Sequence, residues 1–148
     1  MASSMVTVQW KGGRAFEATP PTGNRFVMDA YPDSGGQNLG PTPLEAFLAA
    51  AAACTAMDVV SILEKKRQKV TAYQVEIDGE RSEPGVYPRP YVSMTIRHIV
   101  EGEDVDPEAV DRAVALSEEK YCTVVATLHA HPEVRSLIEI RSRNPSAV

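Results

Sequence analysis

One apolar segment near the middle of the chain constrains the fold more than any other part of the sequence. It covers positions 44 to 63, is rich in alanine, and has Cys54 at its centre. Thr42 is a favourable N-cap residue, Pro43 suits the first helical position, and Glu45 completes the T-x-x-E pattern of a capping box. The basic cluster from Lys65 to Lys69 suits the negative end of the helix dipole. The segment therefore predicts a long helix. Because it is apolar all round, we expect it to be buried on every side, against a sheet and another helix.

Two other interpretations of this segment agree with part of its composition. Its length is nearly sufficient for a membrane span, but Glu45 and Asp58 lie inside it and alanine is only weakly hydrophobic. We therefore expect no membrane association. The second interpretation is a plain core helix in which Cys54 is only a small buried residue, and composition alone leaves that interpretation open.

Length, charge and cysteine content limit the class of protein. A chain of 148 residues can bury a real core, and we expect one domain over positions 1–148. A formal net charge of −5 gives no reason to expect nucleic acid as a partner. The sequence opens without the apolar core of a signal peptide and contains 2 cysteines, so we expect a cytoplasmic protein without a structural disulfide.

The remaining segments predict an α+β fold with mostly antiparallel strand pairing. Alternating apolar residues predict strands at positions 6–10, 14–18, 26–28, 73–77, 92–100 and 134–140, with loops at 31–41 and 79–90. Asp106 and Pro107 begin a second helix with an apolar stripe up to Leu116. The residues at 120–122 interrupt that stripe, a short helix follows at 123–128, and Pro132 ends it.

Two thiols are the main candidates for chemistry. Cys122 precedes a predicted helix start, where a thiolate is favoured. Cys54 lies mid-helix among alanines, so its thiolate would need a nearby cation. Asp58, one helical turn later, would raise the pKa of the Cys54 thiol unless a cation compensates. The sequence alone does not show whether the two thiols meet.

Arg14 is the best internal candidate for that cation. It is predicted to share a strand face with Phe16 and Ala18, although the residues alone favour a surface charge beside a turn. Arg25 is the second choice, because it shares a predicted strand face with Asp29.

Glu45 and the histidines have simpler structural explanations. Glu45 is accounted for by the capping box and lies on the opposite side of an ideal helix from Cys54. His98 belongs to an apolar strand face, as a core histidine would. His129 and His131 form an H-x-H pair without a third ligand, so we expect no metal site and no cofactor.

Two motifs resemble the OsmC/Ohr family of thiol peroxidases. The first is P-L-E at positions 43–45 followed by C-T-A-M-D-V-V-S-I-L at 54–63, and the second is L-S at 116–117 followed by K-Y-C-T-V at 120–124. The resemblance covers nearly the whole chain, and the C-x-x-x-D-V-V-x-I-L segment is similar to a less characterised branch of the family.

This resemblance implies a fold and a chemistry. The fold is an OsmC-like intertwined homodimer, with antiparallel sheets wrapped around long central helices. Cys54 matches the peroxidatic cysteine and Cys122 the resolving one. Arg14 resembles the family's arginine from an early strand. Glu45 stands one position later than the glutamate of the best-known branch.

The activity implied by the resemblance is reduction of organic hydroperoxides in oxidative-stress defence, with an external dithiol as reductant and no metal or other cofactor. The alternative is a non-catalytic, dimeric ligand- or thiol-binding protein, favoured by the shifted glutamate and by Asp58. A purely structural dimer is a third possibility.

Overall fold

Helices and two separate antiparallel sheets make up the structure, a computed structural model that describes residues 4–141. The first sheet has the order β1-β2-β3, and the second pairs β4 with β5. The strands are β1 (Thr7–Trp10), β2 (Phe16–Thr19), β3 (Phe26–Met28), β4 (Lys69–Arg81) and β5 (Tyr91–Glu103). The helices are α1 (Pro43–Lys65), α2 (Pro107–Leu116) and α3 (Thr123–Ala130). A π-helical turn, Ser117–Tyr121, separates α2 from α3. The predicted α+β class is confirmed.

The start of α1 follows the local signals in the sequence. The Glu45 amide donates to Thr42 Oγ1 at 3.1 Å, and the Thr42 amide donates to Glu45 Oε1 at 2.8 Å. This reciprocal pair is the predicted capping box, and Pro43 occupies the first turn, where its missing amide proton has no consequence. Lys65 lies in the last turn, at the negative end of the helix dipole.

Within this chain α1 is buried along one stripe, not on every side as the sequence predicted. The stripe consists of Ala51, Ala52, Thr55, Val59 and Leu63. It packs on β4 and α2, where Val59 and Leu63 join Ala109 and Ala113 in the core. The opposite side of the helix is open, and Met57 is 72% exposed. The cause is the number of elements: two thin sheets and two short helices cannot surround a helix of 23 residues.

Two strand predictions need small corrections. The strand predicted at positions 14–18 begins at Phe16, because Gly12 and Gly13 adopt positive φ angles and Arg14 falls in the turn between β1 and β2. In β5 the predicted face of alternating apolar residues is interrupted at Val92. The register steps from Arg81–Tyr91 to Glu80–Ser93, so Val92 is the extra residue of a bulge and points to solvent.

The strand predicted at positions 134–140 is wrong for the single chain. Residues 131–141 form neither helix nor strand, and the apolar side chains at 134, 137, 138 and 140 are exposed. A strand requires a neighbouring edge to satisfy its backbone amides and carbonyls. No strand edge of the described residues pairs with this segment.

Candidate active site

The structure brings Cys54 and Cys122 together although they come from different helices. Cys54 lies in α1, at the margin between its buried stripe and its open side, and is half-buried. Cys122 is the N-cap residue of α3 and is 2% exposed. The two thiols lie within hydrogen-bonding reach of each other, and neither is engaged in a disulfide. Packing of α1 against the π-helical turn and α3 creates this proximity.

The surroundings of Cys122 keep it protonated. Burial raises the pKa of its thiol, and the amides of Val125 and Val124 in the first turn of α3 partly oppose that effect. The neighbouring Cys54 raises the pKa of Cys122 further, because two adjacent negative charges would repel each other. The start of α3 favours a Cys122 thiolate as predicted, but this effect on the pKa is smaller than that of burial. The pKa of Cys122 is therefore raised. Cys54 is the more accessible of the two sulfur atoms.

Three polar side chains beside the thiols form a hydrogen-bonded cluster. Ser117 Oγ lies 2.9 Å from Thr55 Oγ1 and donates to Asp58 Oδ2 at 2.9 Å. Both Thr55 and Ser117 are completely buried. Asp58, predicted to act on the Cys54 thiol, thus directs one carboxylate oxygen to Ser117.

Thr55 and Ser117 belong to the two family motifs, but neither was predicted to have a role. A signal was nevertheless present. Thr55 interrupts the buried stripe of α1, and Ser117 extends the four-residue spacing of Ala109 and Ala113. A small polar residue on a buried stripe needs a buried partner.

Arg14 lies against the loop that precedes α1. The Arg14 side chain passes close to Gly35: a Cβ atom added to Gly35 would lie 3.6 Å from Arg14 Nε. No hydrogen bond joins Arg14 to Cys54, and within residues 4–141 its guanidinium forms no ion pair. Arg25, the second choice, lies 3.9 Å from Glu17 in an exposed ion pair.

Glu45 has both carboxylate oxygens occupied. Oε1 accepts the capping bond from Thr42, and Oε2 accepts a bond of 2.7 Å from the Tyr31 hydroxyl. These bonds lower the pKa of Glu45, and the bond from the Thr42 amide has the largest effect. The same contact with Glu45 raises the pKa of Tyr31. Tyr31 was not predicted to have a role, and its only sequence signal is its position at the start of the loop before α1.

Asp29 is a second unpredicted organiser of that loop. Its Oδ1 accepts the Ala30 amide at 2.7 Å, and its Oδ2 accepts the amides of Gln37 and Leu39 at 3.1 and 3.2 Å. These bonds lower the pKa of Asp29, and the bond from the Ala30 amide has the largest effect. The carboxylate thereby ties the two ends of the loop that carries Tyr31 and Gly35.

The histidines do not form a metal centre in the part of the chain that the structure describes. No group of three or more His, Cys, Asp or Glu side chains converges within residues 4–141. His98 bonds through Nδ1 to the Tyr73 hydroxyl, while its buried Nε2 has no partner among residues 4–141. Burial lowers the pKa of His98 and raises that of Tyr73 to about 12, so both are neutral at physiological pH.

An open apolar groove of about 700 Å³ runs between α1, β5 and α3. Phe47 and Tyr91 stack in it with ring centroids 6.2 Å apart. Val125 lines the groove as well, while its amide faces the Cys122 thiol. A second, shallower groove of about 290 Å³ reaches Cys122 from the side of Tyr121 and Thr123. Apolar surface therefore lies close to the thiol pair.

Comparison with known proteins identifies the family. The family model described as "OsmC-like protein" matches residues 35–136. The chain is 38% identical over 133 residues to the Escherichia coli protein YhfA, covering 90% of this chain and 95% of that protein. A hypothetical protein from Aquifex aeolicus has 28% identity and a TM-score of 0.74, with 88% of this chain and 89% of that chain covered.

A more distant likeness reaches a protein from Legionella pneumophila named as an organic hydroperoxide resistance protein, OsmC. It has 13% identity and a TM-score of 0.63, with 86% of this chain and 90% of that chain covered. At this identity the likeness concerns the fold alone.

The α1 helix is long and apolar enough to cross a membrane by length and composition. One stripe of this helix packs on β4 and α2 as part of the core. Since the family model spans both cysteines, Glu45 and most of the fold, the chain belongs to the family of OsmC-like proteins.

Proposed function

We propose that the protein is a thiol-dependent peroxidase that reduces organic hydroperoxides through Cys54, with Cys122 as the resolving cysteine. The observation that carries the proposal is the contact between an accessible thiol and a buried, protonated one. Family members typically act on hydroperoxides and are typically dimeric, which supports the same assignment.

The chemistry follows from the two thiols. The Cys54 thiolate attacks the distal oxygen of the hydroperoxide, the O–O bond breaks, and the alcohol leaves with a proton while Cys54 becomes a sulfenic acid. The Cys122 thiol then attacks the Cys54 sulfur. An S–S bond forms, the S–O bond breaks, and water leaves. An external dithiol returns both cysteines to thiols.

Arg14 is proposed as the cation that favours the Cys54 thiolate, and Glu45 as the carboxylate that orients it. The support is positional: Arg14 passes Gly35, and Tyr31 of the same loop holds Glu45. The free guanidinium of Arg14 within the described residues is available for such a role. The apolar groove beside Val125 supports an organic substrate over hydrogen peroxide. We further propose a cytoplasmic location, one domain and a homodimer.

The test is peroxide treatment followed by mass spectrometry of the cysteine peptides. The parent should form an intramolecular Cys54–Cys122 disulfide with cumene hydroperoxide, faster than with hydrogen peroxide. The Cys122→Ser variant should stop at the Cys54 sulfenic acid, trapped with dimedone. Sulfinic acid at Cys54 with Cys122 still free in the parent would exclude the resolving role.

A second candidate function is a non-catalytic, thiol- or ligand-binding dimer. The observation favouring it is that both carboxylate oxygens of Glu45 are occupied and that Arg14 forms no hydrogen bond with Cys54. Under this alternative Cys54 reacts with hydroperoxide no faster than a free thiol such as N-acetylcysteine. The same kinetic experiment therefore separates the two functions.

A further inference from the structure

The buried contact between α1 and the π-helical turn is polar at its centre. Thr55 and Ser117 are fully buried, and their hydroxyl oxygens lie 2.9 Å apart. Ser117 Oγ also lies 2.9 Å from Asp58 Oδ2 and 3.3 Å from the Thr55 carbonyl oxygen. The surrounding positions on both helices are occupied by alanine and valine, which could fill such a contact without hydrogen bonds.

The direction of these bonds follows from the number of protons. A serine hydroxyl has one proton, and a carboxylate is the strongest acceptor within its reach. Ser117 therefore donates to Asp58, so the Thr55 hydroxyl must donate to Ser117. The result is a directed chain from Thr55 through Ser117 to Asp58, which we call the Thr55–Ser117–Asp58 chain.

This chain connects the two cysteine-bearing backbones. Thr55 directly follows Cys54 in α1. The carbonyl of Ser117 accepts the amide proton of Cys122 at 2.8 Å, which closes the π-helical turn. One buried serine thus bonds through its hydroxyl to the residue beside Cys54 and through its carbonyl to Cys122. Single π-helical turns of this kind are frequently found at functional sites.

We propose that Ser117 is a positioning residue that, with Thr55 and Asp58, holds the Cys122 thiol against Cys54 for disulfide formation. This inference rests on the proposed function for its biological meaning, since the step it promotes is condensation of the Cys54 sulfenic acid with Cys122. The competing step is attack by a second hydroperoxide, which oxidises the sulfenic acid to sulfinic acid and releases another alcohol. Holding the thiols together favours the first step by raising their effective concentration.

The first experiment measures proximity without any peroxide. The protein is equilibrated with reduced and oxidised glutathione, in which the protein dithiol and one glutathione disulfide yield the protein disulfide and two glutathione thiols. Ser117→Ala and Thr55→Val should each lower the equilibrium constant by about tenfold, equivalent to about 30 mV for a two-electron couple.

The matched control is Thr55→Ser. This variant retains the hydroxyl and removes a methyl group from a fully buried site, whereas Thr55→Val retains the shape and removes the hydroxyl. If the Thr55–Ser117–Asp58 chain positions the thiols, Thr55→Ser keeps the parent equilibrium constant. A shift of equal size in Thr55→Ser and Thr55→Val would assign the effect to packing and overturn the proposal.

The second experiment uses cumene hydroperoxide and counts the products at Cys54. Ser117→Ala and Thr55→Val should form the sulfenic acid at the parent rate but yield several times more sulfinic acid per turnover. If Ser117→Ala does not fold, Thr55→Val with its serine control decides both experiments.

Failure of this inference is distinguishable from failure of the proposed function. A parent that resists peroxide, combined with the expected glutathione shifts, removes the peroxidase and leaves the positioning role supported. A parent that forms the disulfide rapidly, combined with unchanged glutathione equilibria in the folded variants Thr55→Val and Ser117→Ala, overturns the positioning role alone.

Discussion

At the scale of single residues, Cys54 and Cys122 are neighbours in unlike surroundings. Cys54 borders the open side of α1, whereas Cys122 is buried at the start of α3. Burial raises the pKa of Cys122 and leaves it as a thiol at neutral pH. This asymmetry agrees with the proposed roles, in which the accessible Cys54 reacts with the substrate and the protonated Cys122 reacts afterwards.

Substitution of Arg14 tests the source of the charge that would activate Cys54. Arg14→Ala should slow the alkylation of Cys54 at neutral pH, because loss of a cation disfavours the thiolate. Arg14→Lys should restore only part of the Cys54 reactivity, since an ammonium lacks the planar set of donors with which a guanidinium can bond a carboxylate and a thiolate together. The measurement is the pH dependence of Cys54 alkylation by iodoacetamide, with Arg25→Ala as the control. Identical titrations for the parent and Arg14→Ala would remove Arg14 from the mechanism.

At the scale of elements, the entrance to α1 is organised by two carboxylates. Asp29 gathers the backbone amides of the loop, and Glu45 caps the helix while accepting a bond from Tyr31. The loop therefore presents Tyr31 and Gly35 in a defined position above the first turn of α1. Since Arg14 passes Gly35, the geometry of this loop determines where the proposed cation lies.

Removing the cap should weaken the fold by a predictable amount. Thr42→Ala removes the hydroxyl that accepts the Glu45 amide and should lower the free energy of unfolding by about 1 kcal/mol. Urea denaturation followed by circular dichroism measures the change. Ser61→Ala removes an exposed hydroxyl from the same helix and should change the stability by less than about 0.5 kcal/mol. Equal effects of the two substitutions would contradict the capping role.

The carboxylate of Asp29 should make stability depend on acid pH. Its pKa is lowered from 3.8 in the folded state, so its contribution is complete above that value and is lost as the pH falls through the lower, folded value. Asp29→Asn should therefore be less stable than the parent at pH 7, and the difference should shrink below about pH 4. The measurement is the denaturation midpoint between pH 2 and pH 7. Asp33→Asn, an exposed change in the same loop, should follow the parent at every pH.

At the scale of the whole molecule, α1 presents an apolar face that this chain does not cover. Ala50, Ala53, Met57 and Val60 follow one another at helical spacing and are exposed, while the stripe on the other side is buried. Exposed apolar faces of this kind mark interaction sites in soluble proteins. The proposed homodimer would cover this face with a second copy.

Two charge substitutions distinguish the dimer contact from the core of the chain. Ala51 is 1% exposed within the chain, so a glutamate there should prevent folding altogether. Ala50 is exposed within the chain, so Ala50→Glu should spare the fold but weaken dimerisation by several kcal/mol, since it would bury an unpaired charge. Sedimentation velocity over micromolar concentrations measures the effect, with Ala115→Glu, at an exposed position of α2, as the control. A parent protein that sediments as a stable, folded monomer would refute the homodimer.

The sequence by itself determined the elements whose signals are local. Thr42 and Glu45 placed the start of α1, and Asp106 with Pro107 placed the start of α2. Caps and apolar spacing act within a few residues, so these elements could be predicted without knowing what they pack against. The same patterns predicted the α+β class, and the two motifs pointed to the family that the comparisons establish.

Only the tertiary structure decided which distant residues meet. The contact between Cys54 and Cys122 and the buried bonds of Ser117 depend on how α1 packs against the π-helical turn, which no local pattern specifies. The predicted strand at 134–140 was wrong for a related reason: alternation describes a residue's preference, but a strand forms only where another edge accepts its hydrogen bonds. Arg14 lies outside its predicted strand because the positive φ angles of Gly12 and Gly13 form a turn that includes Arg14.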